Sequence, residues 1–220
     1  MSDPFNHISP LFIRLFRSYT RLLFYRRFKY VWLFDRYRPS PERSTIFYAN
    51  HSSWWDGLIP LLLNEYHYRQ NGRALMEDRQ ITTYPFFRKI GAVPVARDHP
   101  RQAMHILREA AAFLDQPGRS LYIFPQGRMF TECAPLQFES GLARLSELTT
   151  LVDIVPLAIS VTTMRYDKPE LLLRTSEPVV LSGEMPRLKR NELLIARLQQ
   201  LLQENQKACR EGPEEYQRLV

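Results

Sequence analysis

The feature that most restricts the fold of this chain is the alternation, after residue 43, of short apolar runs with segments of helical periodicity. The apolar runs are rich in β-branched and aromatic residues, which favour strands. Strands that alternate with helices predict an α/β domain with a mixed, largely parallel sheet flanked by helices. The predicted strands are 44–49, 74–76, 92–96, 120–124, 154–161, 171–173 and 178–181.

The predicted helices rest on apolar residues that recur every three or four positions. Residues 101–114 give the clearest case, because the segment is alanine-rich and ends shortly before Pro117-Gly118. The last residues, 211–220, are predicted to be loose. The other predicted helices are 58–68, 84–89, 141–148 and 188–208.

The N-terminal segment differs in composition from the rest of the chain. Residues 1–45 hold nine basic and three acidic side chains, a net charge of +6 in a chain whose total is +7. Cations and large apolar residues interleave over 8–34, which predicts an amphipathic helix lying on a membrane with anionic lipids. A helix packed on its own domain is the structural alternative, and the high apolar content argues against nucleic acid. We therefore divide the chain into membrane-interface helices, 1–43, and a folded α/β domain, 44–220.

Asn50-His51 follows the first predicted strand, and Asp56 lies five residues beyond His51. This spacing would separate the two side chains on a continuous helix, but a strand-to-helix turn can bring them together. A carboxylate bonded to one imidazole nitrogen fixes the tautomer and leaves the other nitrogen able to take a proton. Local sequence alone leaves a second interpretation open, in which Asp56 caps a helix and His51 is an ordinary turn residue.

Three further motifs follow strands or form them. Arg97 stands at the exit of the strand in Gly91-Ala92-Val93-Pro94-Val95-Ala96-Arg97 and could bind an anionic headgroup. The turn Phe124-Pro125-Gln126-Gly127-Arg128 offers an amide and a flexible glycine to a ligand. The apolar run Val155-Pro156-Leu157-Ala158-Ile159 is typical of a buried strand that walls a site. Taken singly, each also fits a plain structural role.

In this order and spacing, the four motifs resemble those of the glycerolipid acyltransferase superfamily, over residues 44–182. The resemblance implies that His51, oriented by Asp56, acts as general base on a hydroxyl that attacks an acyl thioester. It also implies an acceptor site at Arg97, Gln126, Gly127 and Arg128. No cofactor and no metal are expected; acyl-CoA or acyl carrier protein is the co-substrate, and a lysophospholipid, glycerol phosphate or glycolipid is the acceptor.

Departures from the family pattern at four positions bear on the acceptor. The family usually has Glu, Thr and Arg where this chain has Gln126, Arg128 and Met129, and a lysine where Glu139 stands. A carboxylate at that position would repel a phosphate dianion. An uncharged polar acceptor, such as a glycosylated lipid or another lysolipid, is therefore at least as compatible with the sequence as lysophosphatidate.

Other functions remain open at this stage. An acyl-thioester hydrolase would use His51 to activate water, and a non-catalytic lipid-binding protein could keep the fold alone.

The two cysteines, Cys133 and Cys209, argue against a disulfide framework and favour a reducing compartment. We also find no signal peptide and no apolar run long enough to span a bilayer. The sequence thus predicts a peripheral enzyme on the cytoplasmic face of a membrane.

Overall fold

A computed structural model describes residues 4–130 and 135–220. Within these residues, eight strands form one sheet: β1 (Val31–Phe34), β2 (Ser44–Ala49), β3 (Asn71–Glu77), β4 (Ala92–Val95), β5 (Arg119–Ile123), β6 (Val152–Thr162), β7 (Glu170–Thr175) and β8 (Gln217–Arg218). Their order across the sheet is β4-β3-β5-β2-β6-β7-β1-β8. Only the β6–β7 and β1–β8 pairs are antiparallel. The predicted α/β class with a largely parallel sheet is confirmed.

The helices cover both faces of this sheet. They are α1 (Pro10–Arg27), α2 (Ile59–Leu63), α3 (Asp78–Thr83), α4 (Phe86–Lys89), α5 (Pro100–Leu114), α6 (Gly141–Leu148) and α7 (Arg187–Glu211). Alternate residues of β2 enter different apolar clusters, because successive side chains of a strand point to opposite faces. Phe47 joins the cluster that includes α1 and α2, whereas Ile46 and Tyr48 join the cluster that includes α5, α6 and α7.

The parallel strands on one side of the sheet place several loops together. β2, β3, β4 and β5 are neighbours in the order of the sheet and run in the same direction. Their carboxyl ends therefore lie at one edge, where open α/β sheets bind ligands. His51, Glu77, Arg97 and Gln126 stand at or just beyond these four ends.

Two predicted elements match the structure to the residue, the strand 44–49 and the helix 141–148. The predicted strand 178–181 is wrong, since these residues form no strand and Val179 makes a single backbone bond to Ile154. Proline at 178 has no N–H to donate to a ladder, which explains the difference. Helix α3 was not predicted.

The predicted helix 8–34 is also wrong in its second part. α1 ends at Arg27, and Val31–Phe34 is a strand that pairs in parallel with β7. Val31 and Leu33 are buried while Trp32 and Phe34 are less so, which is the two-residue period of a strand. Residues of the predicted N-terminal unit, 1–43, therefore contribute a strand to the sheet of the predicted domain, 44–220.

The C-terminal residues are ordered by contacts with the same edge of the sheet. Gln217–Arg218 pairs antiparallel with β1, and Tyr216 and Val220 are buried, so the prediction of a loose end is wrong. Among the described helices, none is long and apolar enough to cross a membrane. Cys133 lies outside the described residues.

Candidate active site

The turn that carries His51 is fixed by the residue before it. Asn50 is 5% exposed, and its Nδ2 donates a hydrogen bond to the Ile159 carbonyl at 2.8 Å. The Ile159 N–H donates in return to Asn50 Oδ1, also at 2.8 Å. The amide side chain thus continues the pairing of β2 with β6 for one more position. This clamp lets the main chain leave the sheet at a defined point and direct His51 away from it.

His51 and Asp56 form a hydrogen-bonded pair, with 2.8 Å between His51 Nδ1 and Asp56 Oδ2. The two meet because the chain turns tightly between them: a 3₁₀ helix, Trp54–Leu58, starts after Ser53. Ser53 and Asp56 form a capping box at the start of that helix. Asp56 is therefore both the helix cap and the partner of His51, so the two interpretations of the sequence are not exclusive.

The surroundings of Asp56 determine the tautomer of His51. Asp56 is fully buried, and its Oδ2 also accepts from the backbone N–H groups of Ser52, at 2.7 Å, and Ser53, at 2.9 Å. Ser53 Oγ donates to Oδ1 at 2.7 Å. A carboxylate that receives this many donors is held as an acceptor, so His51 Nδ1 carries the hydrogen. His51 Nε2 is then left with a lone pair that can accept a proton.

The loop after β5 is tied to the His51 turn. Gln126 is 6% exposed, and its Oε1 accepts from the His51 backbone N–H at 2.8 Å. The Phe130 N–H donates to the His51 carbonyl at 2.8 Å, and the Phe124 ring lies 4.7 Å from the imidazole. The side-chain oxygen of Gln126, a residue that we expected in the acceptor site, thus contacts the protein main chain and positions His51.

Arg97 and Glu139 meet beside Gly127. Arg97 Nη1 donates to the Gly127 carbonyl at 2.6 Å, and its Nη2 forms an ion pair with Glu139 Oε1. Gly127 has φ of +70°, a conformation that favours glycine. A Cβ there would lie 2.6 Å from Glu139 Oε1 and 2.9 Å from Arg97 Cζ. Glycine is therefore needed both for the turn and for the close approach of the ion pair.

A cavity of about 340 Å³ opens beside His51. Arg97, Gly127 and Arg128 line it as well, whereas Gln126 is not among the lining residues. Much of the remaining wall is apolar and includes Trp54, Leu75, Met76, Phe87, Leu107 and Phe124. Two larger cavities lie beside α1, but His51 lines neither of them. We take the smaller cavity as the candidate site, because it alone of the three includes the histidine of the dyad.

Sequence reasoning missed several residues of this site, among them Asn50, Trp54, Glu77 and Phe87. Asn50 was quoted only as the neighbour of His51, and its clamp could have been suspected from an amide at the end of a buried strand. Trp54, Glu77 and Phe87 line the cavity but carry no local signal of function. In residues 4–130 and 135–220, no group of three or more His, Cys, Asp or Glu side chains is placed to hold a metal ion.

Comparisons with known proteins concern the fold and the family of this chain. The 1-acyl-sn-glycerophosphate (LPA) acyltransferase PlsC from Thermotoga maritima has a similar solved structure, with a TM-score of 0.60 and 18% sequence identity. The match covers 87% of this chain and 79% of that protein. A search of curated proteins finds no sequence match.

The sequence model of the acyltransferase family matches residues 34–160. This span covers more than half of the chain and includes His51, Asp56, Arg97 and the loop at Gly127. The resemblance that we inferred from the four motifs is confirmed, and the chain belongs to the acyltransferase family.

Proposed function

We propose that the protein transfers a fatty acyl group from a thioester, acyl-CoA or acyl carrier protein, to a hydroxyl of a lipid acceptor. The acceptor classes that we consider are lysophospholipids, glycerol phosphates and glycolipids. The proposal rests mainly on one observation: His51, with Nδ1 held by Asp56, lines a largely apolar cavity. Such a cavity can accommodate an acyl chain beside the group that removes the proton.

In the proposed reaction, His51 Nε2 takes the proton of the acceptor hydroxyl as its oxygen attacks the thioester carbonyl carbon. The negative charge of Asp56 stabilises the imidazolium that forms. When the tetrahedral intermediate collapses, the carbon–sulfur bond breaks and the imidazolium returns the proton to the leaving thiolate. The products are an ester and a free thiol. No covalent acyl-enzyme forms, and the chemistry requires neither a cofactor nor a metal.

His51→Ala tests this mechanism, with the full chain, a labelled acyl donor and total membrane lipid. General base catalysis contributes about 10²–10⁴-fold, so we expect acyl transfer to fall by that factor while the protein stays folded. His105→Ala is a matched control, because His105 is exposed on α5. Transfer that survives the loss of His51 would contradict the mechanism. Free fatty acid without an acylated lipid would instead identify a thioester hydrolase.

We further propose that α1 binds the surface of an anionic membrane. Five large side chains on this helix are 50–70% exposed and recur at intervals of three or four, so they share one face: Leu11, Leu15, Tyr19, Leu22 and Tyr25. Exposed arginines interleave with this stripe at positions 14, 17, 21, 26 and 27. An apolar face with adjacent cations suits the boundary between headgroups and acyl chains.

The aromatic contacts of α1 support a membrane position near the cavity. The Phe16 ring lies 5.2 Å from that of Phe86, and Phe86 stacks on Phe87 at 4.4 Å. Phe87 lines the cavity together with Trp54. A lipid substrate would then have a short path from the bilayer to His51. The cytoplasmic face is our proposed location, since the thioester donors are cytoplasmic metabolites.

Sedimentation with vesicles that contain anionic lipid tests the membrane proposal. Leu15→Glu with Leu22→Glu should reduce binding at least tenfold, because two apolar contacts are lost and two negative charges are added. Leu188→Glu is the matched control, since Leu188 is 71% exposed on α7. Equal binding of the double variant and the parent would show that α1 does not form the membrane contact.

A further inference from the structure

The charges in the candidate cavity are balanced rather than positive. Two guanidinium groups, of Arg97 and Arg128, line it together with two carboxylates, of Glu77 and Glu139. A site for a phosphate monoester dianion is expected to present an excess of cations, often with a bidentate arginine. The described lining of this cavity has no such excess.

Both terminal nitrogens of the Arg97 guanidinium are engaged, and Nε, which makes no hydrogen bond to the described residues, is buried. Nη1 donates to the Gly127 carbonyl, and Nη2 is paired with Glu139. The backbone of Glu139 is fixed as well, because its N–H donates to the Pro125 carbonyl at 2.8 Å. Glu139 is thus attached to the same loop that Arg97 contacts. A phosphate would have to displace an anion that the fold itself holds in place.

The second cation does not compensate for this loss. The side chain of Arg128 is exposed, and its Cζ lies 4.7 Å from the centre of the Phe130 ring. It is directed across an aromatic face and open to water, which screens its charge. Met129, the neighbour that stands where the family usually has arginine, is 50% exposed and adds no charge.

The carboxylates can instead serve an acceptor that has hydroxyl groups. Of the two carboxylate oxygens of Glu139, only Oε1 makes a hydrogen bond to the described residues, and the side chain is 53% exposed. Its Oε2 can therefore accept a hydrogen bond from a hydroxyl group, and so can the half-buried Glu77. Carboxylates accept hydrogen bonds from neutral donors strongly, whereas they repel a second anion.

We infer that the acceptor carries a neutral, polyhydroxylated headgroup, such as that of a glycolipid, and that the Arg97–Glu139 pair excludes phosphate monoesters. This inference rests on the proposed acyl transfer and specifies the acceptor for the same site. Glu139 is the residue that determines the specificity, because it occupies the guanidinium that a phosphate would need.

The test compares two acceptors, monoglucosyl diacylglycerol and lysophosphatidate, in vesicles of equal surface charge with a labelled acyl donor. We expect the parent protein to acylate the glucolipid at least tenfold faster. Glu139→Lys combined with Met129→Arg should shift the ratio of rates toward lysophosphatidate by about tenfold or more. Glu139→Gln should give a smaller shift in the same direction. Glu192→Lys, the same Glu→Lys substitution at an exposed position on α7, should leave the ratio unchanged.

The outcomes separate the two proposals. A parent that prefers lysophosphatidate, or a ratio that the Glu139 variants leave unchanged, would refute the inference and leave acyl transfer intact. Hydrolysis of the donor with neither lipid acylated would refute the proposed function. In that case binding still tests the inference. Soluble short-chain analogues of the two acceptors are titrated while the fluorescence of Trp54 is measured, and Trp54→Phe is the control. Tighter binding of the phosphate analogue than of the sugar analogue would overturn it.

Discussion

Asp56→Asn gives the sharpest test of the dyad, since it removes one charge and leaves the shape nearly unchanged. The orientation of the new amide is determined by the structure. Asp56 Oδ2 receives the N–H groups of Ser52 and Ser53 as well as His51 Nδ1. An NH₂ group there would face three donors, so the amide oxygen must take that position. The NH₂ group then faces Ser53 Oγ, which can rotate and accept.

This orientation preserves the tautomer of His51. In chymotrypsin-like proteases, the same change from aspartate to asparagine costs about 10⁴-fold because the wrong tautomer forms. In this chain the two backbone donors keep an acceptor oxygen in front of Nδ1, so only the charge is lost. The attraction between unit charges about 4 Å apart is about 4 kcal/mol near a protein surface, and water at the partly exposed imidazole reduces it. If the variant loses about 2–4 kcal/mol of this electrostatic stabilisation, kcat/KM should fall by about 30-fold to 1000-fold.

The assay measures kcat/KM for acyl transfer with a labelled donor, together with the melting temperature of each variant. Asp98→Asn is the control, since Asp98 pairs with Arg79 in an exposed ion pair. A loss of less than about threefold for Asp56→Asn would show that the carboxylate does not support the reaction. A loss near 10⁴-fold, well above the expected range, would refute the argument that the tautomer is preserved.

Two further predictions concern the stability of the fold. The side chain of Asp35 is buried, and although burial alone would raise its pKa, hydrogen bonds from His67 and Thr175 hold that pKa below its usual value. Asp35→Asn should therefore lower the free energy of unfolding at pH 7 by about 2–4 kcal/mol. Denaturant titrations should show this difference shrinking below about pH 4, because the carboxylate of the parent protein becomes protonated there. A difference independent of pH would contradict the prediction. Gly127→Ala should cost about 1–3 kcal/mol, because alanine is strained at φ of +70° and its Cβ would displace Glu139; unchanged stability and kinetics would refute the argument.

The sequence was sufficient for the fold class, because strands of the central sheet have clear apolar runs bounded by turns. It was also sufficient to suggest the dyad, because His51 and Asp56 lie five residues apart at a turn between a strand and a helix. The contact of Arg97 with Glu139 joins residues 42 positions apart, and no local pattern encodes it. It depends on the meeting of the β4 and β5 ends at one edge of the sheet, which becomes visible only in three dimensions.

The strand β1 shows why the N-terminal segment was harder to predict. A run of aromatic and basic residues fits an interfacial helix and a half-buried strand equally well in composition, and only the period separates them. Here the period changes at Phe28, which caps α1 and lies within 5.5 Å, ring to ring, of Trp55. The strand then finds its partner in β7, about 140 residues later, and the sequence alone does not indicate that pairing.

This arrangement also restricts how α1 can meet a membrane. Only three residues, 28–30, separate α1 from β1, and Phe24 and Phe28 are buried against the domain. Phe24 packs edge-on to Trp55 at 5.6 Å, next to Asp56 of the dyad. Insertion of the whole helix into a bilayer would expose these rings and separate them from the site. We therefore expect α1 to remain on its domain and to contact lipid through its exposed apolar stripe. High salt or alkaline carbonate should then release the protein from vesicles. Retention under both conditions would contradict a surface position.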